Sequence, residues 1–139
     1  MSGVNSYILD SDTLHILLVE DDEVDVEAFE RARLRSDLPV KVTVADDGIH
    51  ALQILRSPMS MPCVVVLDLK PPRMSGWEFL AELRADDDLK EQTVFVLTTS
   101  SAERDIETAQ ELGVSGFMVK SGRVSDLLGL ITKIRRLQS

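Results

Sequence analysis

The feature that most constrains this chain is the alternation of five short apolar runs, rich in β-branched residues, with segments of helical spacing. The runs are HILLV (15–19), KVTV (41–44), CVVVL (63–67), VFVLT (94–98) and GFMV (116–119). Read as continuous rather than alternating in polarity, they predict strands buried on both faces of a parallel sheet. Between them, VDVEAFERARL places Val26, Phe29 and Ala32 on one helical face. GIHALQILR, opened by Asp46, Asp47 and Gly48, groups Ile49, Leu52 and Leu55, and WEFLAELR groups Phe79, Leu80 and Leu83. SAERDIETAQEL reads as a helix capped by Ser100 or Ser101, with Glu103 and Glu107 near its N-terminus, where the helix dipole favours anions. The last helix, from Ser125, is expected to bury Leu127, Leu130, Ile131, Ile134 and Leu137 and to finish on Lys133, Arg135 and Arg136. Strict β–α alternation at this spacing predicts a doubly wound α/β domain of five strands and five helices. Residues 1–13, with Tyr7, Ile8 and Leu9, are read as a short extension, residues 14–139 as the folded domain, and RSPMSMP (56–62) as a turn-rich connector.

A chain of 139 residues suits one domain, large enough to bury roughly 68% of its unfolded surface. No apolar run approaches the roughly 20 residues of a membrane helix, and the start lacks the basic and apolar regions of a secretory signal. A cytoplasmic protein with no membrane partner is therefore expected. The single cysteine, Cys63, forms no internal disulfide or metal framework and reads as a small buried hydrophobe. The formal charge of −9 repels phosphate backbones, so nucleic acid is not an expected partner.

In open α/β sheets, ligands sit at the carboxyl ends of the strands. Here the first strand ends in Glu20, Asp21 and Asp22, the third in Asp68, the fourth in Thr98 and Thr99, and the fifth in Lys120. Carboxylates crowded at one edge resist ionising together, a conflict that a hard divalent cation removes. Mg²⁺ fits: it takes one or two carboxylates, keeps several waters and shares phosphate oxygens. Asp21 and Asp68 are the expected direct ligands, Glu20 acts through water, and the backbone carbonyl of Lys70 completes the protein's share. An aspartate at such a site can attack phosphorus and form an acyl phosphate. Lys120 would then bind one oxygen of the phosphoryl group and the Thr98 hydroxyl another.

These residues resemble the receiver domain of two-component response regulators. The pieces that match are ILLVEDD (16–22), DDGIHAL (46–52), VVLDLKPPRMSGWEFL (65–80), VLTTSSAERD (96–105) and GVSGFMVK (113–120). They cover nearly the whole chain from Leu14, and the intervals from Asp68 to Thr98 and from Thr98 to Lys120 are those of a receiver. The resemblance implies a flavodoxin-like (βα)5 fold with strand order 2-1-3-4-5. It also implies that Asp68 accepts a phosphoryl group from a sensor histidine kinase, with Glu20 and Asp21 as the acidic pair. Thr98 becomes the switch hydroxyl, Lys120 the phosphate-binding ammonium and Phe117 the switch aromatic. The wording around DLKPPRMSG and VLTTSSAERDI is most similar to single-domain regulators paired with bacterial phytochrome kinases. With nothing after the fifth helix, output is expected through the fourth helix, fifth strand and fifth helix, the same face being the candidate surface for a homodimer.

The chain departs from the receiver pattern at three places. Ser121 and Gly122 follow Lys120 where a proline with a cis bond is usual, and a cis bond before a non-proline residue costs about 2.5–4 kcal/mol. Pro71 stands where an apolar residue usually precedes the turn proline, here Pro72. Lys70 is a long cation two residues after the acceptor, from which slow self-dephosphorylation is expected. Asp22 reads as a helix cap rather than a ligand, Asp46 and Asp47 as caps of the second helix, and Asp86, Asp87 and Asp88 as a solvated loop. His15 and His50 have no metal-ligand company, and Trp77 reads as a partly buried surface anchor. The alternative function is a phosphate-independent pseudo-receiver that serves as a scaffold. An aspartyl phosphohydrolase would want an acid where Lys70 stands. A flavodoxin would want hydroxyls where the chain has EDDEVD.

Overall fold

β-Branched runs form strands where a pleated surface is covered on both sides, and three of the five runs meet that condition. The computed structural model of the chain describes residues 13–37, 39–58, 62–69, 75–99 and 101–138. The strands are β1 (Leu14–Val19), β2 (Val40–Ala45), β3 (Val64–Leu67), β4 (Val94–Thr98) and β5 (Gly116–Val119). The helices are α1 (Glu23–Arg35), α2 (Gly48–Arg56), α3 (Gly76–Ala85), α4 (Glu103–Glu111) and α5 (Val124–Gln138). The sheet is parallel in the order β2-β1-β3-β4-β5. This is the doubly wound, flavodoxin-like arrangement that the alternation and the resemblance predict.

Successive residues of the inner strands serve opposite faces, as the two-residue period of a strand requires. Leu17, Val19, Val65, Leu67, Val94 and Val96 pack with α2, α3 and Ala109 of α4. Ile16, Leu18, Val64, Val66, Phe95 and Leu97 pack with Phe29 and Ala32 of α1 and with Leu127, Leu130, Ile131 and Ile134 of α5. The two edge strands correct the expectation of burial on both faces. In β2, Lys41 and Thr43 are exposed between half-buried valines. In β5 no residue is fully buried, and Val119 is 43% exposed. In β2 the alternation of Lys41 and Thr43 with Val42 and Val44 is that of a strand covered on one face, and in β5 the continuous run GFMV is not evidence of full burial.

Three further expectations need correction. Ile49 lies outside the buried face of α2, which Gly48, Ala51, Leu52 and Leu55 form at i, i+3, i+4 and i+7; Ile49 falls about 100° round the helix from Gly48. Leu137 is 57% exposed, as the last turn of α5 runs past the core that Ile134 still reaches. The N-cap of α4 is Ala102, which has no side-chain oxygen to cap with; Ser101 lies one residue outside. The capping readings at α1 and α2 hold: Asp22 accepts from the amides of Val24 and Asp25, and Asp47 from that of His50. The extension through residue 12, part of the 56–62 connector, Lys70, Pro71, Pro72 and Ser100 lie outside the described residues.

Candidate functional site

Sheet order brings the site together. β1 and β3 are neighbours, and their register pairs Val19 with Leu67. The next residue of each strand is Glu20 or Asp68, so the two acids leave the sheet side by side. The Asp68 amide donates to the Val19 carbonyl at 3.0 Å, which holds the loop after β3 to the end of β1. On the far side β4 and β5 pair Thr98 with Val119, and the Lys120 amide donates to the Thr98 carbonyl at 2.6 Å. Strand alternation then sorts the side chains. Glu20, Asp68 and Lys120 each follow a residue that faces α2–α4, so they turn toward α1 and α5. Thr98 follows Leu97 and turns toward the other layer.

Glu20, Asp68 and Thr98 are buried polar residues, whereas Asp21 is exposed at the rim. Carboxylate oxygens of Glu20, Asp21 and Asp68 lie within 4.8 Å of one another. Lys120 enters from the opposite side: its Nζ donates to Glu20 Oε2 at 2.6 Å, Asp25 Oδ2 at 2.7 Å and Asp68 Oδ2 at 3.3 Å. Three carboxylates thus hold one ammonium, with Asp21 beside Glu20 and Asp68 at the rim. Burial pushes the Glu20 carboxyl up to about 7; the Lys120 and Asp22 hydrogen bonds oppose the rise and the Asp68 charge adds to it. Burial draws the Lys120 ammonium down, but hydrogen bonds to Asp25 and Glu20 outweigh that and leave it above its usual range. The excess of negative charge and the all-oxygen donor set fit a hard divalent cation held by Glu20, Asp21 and Asp68.

Two local features aim these groups. Gly76 opens α3 against the loop after β3: a Cβ there would meet Leu69 Cα at 2.6 Å and the Asp68 carbonyl oxygen at 2.9 Å. Glycine is the residue that permits this approach, and its amide donates to the Leu69 carbonyl at 3.1 Å. Ser75, the N-cap, accepts from the Glu78 amide at 3.2 Å. After Lys120 no cis bond occurs; among the described residues every peptide bond is trans. The turn is held by the Ser121 hydroxyl, which donates to Asp126 and accepts from the Arg123 amide, and by Gly122 at φ +77°. Lys120 therefore reaches Asp68 without the usual proline.

The described strand-end residues Glu20, Asp21, Asp68, Thr98 and Lys120 all lie at one edge of the sheet, while Phe117 sits on β5, half-buried against the α2–α4 layer. The Lys70 carbonyl falls outside the described residues. Asp25 is the residue that reading the strand ends missed. Its signal was its position on α1, in register with Phe29 and Ala32 on the buried stripe, where an acid is out of place without a partner.

A family model for the response regulator receiver domain matches residues 16–132. The chain belongs to that family. It is 33% identical to the response regulator Rcp1 of Synechocystis over 124 residues, covering 86% of this chain and 84% of Rcp1. Among solved structures, the phosphorylated cyanobacterial phytochrome response regulator RcpA is 35% identical with a TM-score of 0.77, covering 88% of this chain and 91% of RcpA. The Mn²⁺-bound form of Rcp1 is 32% identical with a TM-score of 0.75, over 87% of this chain and 91% of that one. This chain is thus similar to receivers of the phytochrome-associated type. No helix among the described residues is long and apolar enough to cross a membrane.

Proposed function

We propose that Asp68 is the phosphoacceptor of a Mg²⁺-dependent receiver served by a sensor histidine kinase, of which a bacterial phytochrome is the type the relatives suggest. The observation that carries this is the convergence on Lys120: one ammonium, 3.3 Å from Asp68, in a site otherwise supplied with oxygen donors. An Asp68 carboxylate oxygen attacks phosphorus, the bond from phosphorus to the donor's imidazole nitrogen breaks, and the electron pair leaves with the imidazole. Asp21 and Asp68 would hold Mg²⁺ directly and Glu20 through water, and the ion would supply neutralising charge to the phosphoryl oxygens. Lys120 exchanges its contact with Asp68 for one with a phosphoryl oxygen, and the Thr98 hydroxyl takes another. Phe117 and the α4–β5–α5 face then carry the change outward as a shift between two existing states, each binding the phosphoryl group differently.

Phosphorylation with acetyl phosphate and Mg²⁺, read on a phosphate-affinity gel, tests the proposal. A shifted band should appear in wild type and disappear in Asp68→Asn and with EDTA. A shift that persists in Asp68→Asn would place the acceptor elsewhere. If neither acetyl phosphate nor a panel of histidine kinases produces a shift in folded protein, the scaffold reading replaces this one.

A further inference from the structure

We infer that Asp25 is a positioning residue, which from α1 holds the Lys120 ammonium displaced from Asp68 and ready for a phosphoryl oxygen. The inference rests on Asp68 being the acceptor, and it goes beyond that reading by giving a role to a residue outside the strand ends.

The distances rank the three contacts of Lys120. Charge-assisted N–H···O bonds run at about 2.7–2.9 Å. The bonds to Glu20 at 2.6 Å and Asp25 at 2.7 Å are of that strong kind, and the contact with Asp68 at 3.3 Å is not. An ammonium has three N–H donors and no acceptor, so three carboxylates account for all of them. Two of the three therefore act as anchors and the acceptor holds the weak third. The anchors are themselves fixed. Glu20 Oε1 accepts from the Asp22 amide at 3.1 Å, and the Asp22 side chain caps α1 by accepting from the Val24 and Asp25 amides. The first turn of α1 is thus tied to the end of β1, and Asp25 reaches Lys120 from a fixed backbone.

The arrangement favours exchange at Asp68. When an Asp68 oxygen becomes the bridging oxygen of an acyl phosphate, the long contact is the one given up, and the two short ones keep the ammonium in place. Without Asp25, three donors face two carboxylates, and the ammonium settles onto Asp68. That withdraws electron density from the attacking oxygen and adds an ion pair that must break before transfer. Asp25 is one-third exposed at its side chain, so its replacement creates no core defect.

The test compares wild type, Asp25→Asn, Asp25→Glu and Asp68→Asn in the full chain. Two readouts are followed: the rate of acetyl phosphate labelling at saturating Mg²⁺, and the ¹⁵N ammonium signal of Lys120, assigned by its loss in Lys120→Arg. Asp25→Asn should slow labelling on the order of tenfold, the scale of one hydrogen bond to a charged group, and move the ammonium signal. Asp25→Glu should recover most of both. A wild-type rate in Asp25→Asn, or an unmoved Lys120 signal, overturns the inference. So does a slowed rate that glutamate does not rescue, which would mark Asp25 as structural only. Labelling that persists in Asp68→Asn would instead defeat the acceptor reading, and the ammonium signal would still report whether the tether exists.

Discussion

Two cations hold opposite ends of the sheet, and they are satisfied in different ways. At the N-terminal edge, Arg84 of α3 donates to the carbonyls of Leu112 at 2.7 Å, Lys90 at 2.8 Å, Gln92 at 2.7 Å and Gly113 at 3.2 Å. It clips together the segments that lead into β4 and β5. Its partners are neutral dipoles, supplied in balance, so it has no use for a ligand. At the C-terminal edge, Lys120 faces more carboxylate charge than it can neutralise. A half-buried cation held by backbone carbonyls marks a structural joint, whereas several carboxylates gathered about one ammonium mark a place suited to a further cation or a phosphoryl group.

The largest effect should separate the two ends. Arg84→Ala should cost about 3 kcal/mol in urea unfolding, since several charged-group hydrogen bonds go at once, yet leave labelling of the folded fraction near wild type. If Arg84→Ala abolished labelling in folded protein, the contrast between joint and site would fail.

Mg²⁺ should act on the other end alone. At one hundred times its Kd it should add about 2.7 kcal/mol to stability, and Asp21→Asn should reduce that gain. The pH dependence has a definite sign. Glu20 is protonated more readily in the fold than in the unfolded chain, so the native state holds the extra proton between its usual pKa of 4.5 and about 7. Metal-free protein should therefore lose stability from this group as pH rises through that window. Mg²⁺ should flatten the loss, and chemical denaturation at several pH values with and without the ion checks it.

Gly76→Ala should have a smaller effect of mixed kind. The added Cβ collides with backbone at Leu69 and Asp68 rather than with a flexible side chain, so the loop or α3 must shift. We expect a loss of roughly 2 kcal/mol together with slower labelling. A variant as stable and as quickly labelled as wild type would show that the close approach is not needed.

How much was legible in the sequence follows from the same contrast. β1, β3 and β4 were readable because strands covered on both faces need unbroken apolar runs, and their order places Glu20 beside Asp68. GFMV carries no mark of having one covered face, whereas KVTV does: Lys41 and Thr43 alternate with Val42 and Val44, a polar–apolar period that the reading of continuous runs passed over. Leu137 has the right helical phase but lies where α5 outruns the core, a matter of length, whereas Ile49 stands about 100° round α2 from Gly48 and misses the buried stripe, a matter of phase. Asp25 escaped because strand ends were the guide, and its contact with Lys120 joins residues far apart in the chain. The Arg84 clip escaped for another reason: backbone carbonyls leave no trace in a sequence.

The most direct test of the central claim is to locate the phosphoryl group chemically. Protein treated with acetyl phosphate and Mg²⁺ would be reduced with borohydride, which converts an aspartyl phosphate to homoserine, and its peptides sequenced by mass spectrometry. Homoserine at position 68, absent when Mg²⁺ is withheld, is the predicted result. Homoserine at Asp21 or Asp25, or label stable to borohydride on a hydroxyl such as Thr98, would contradict it.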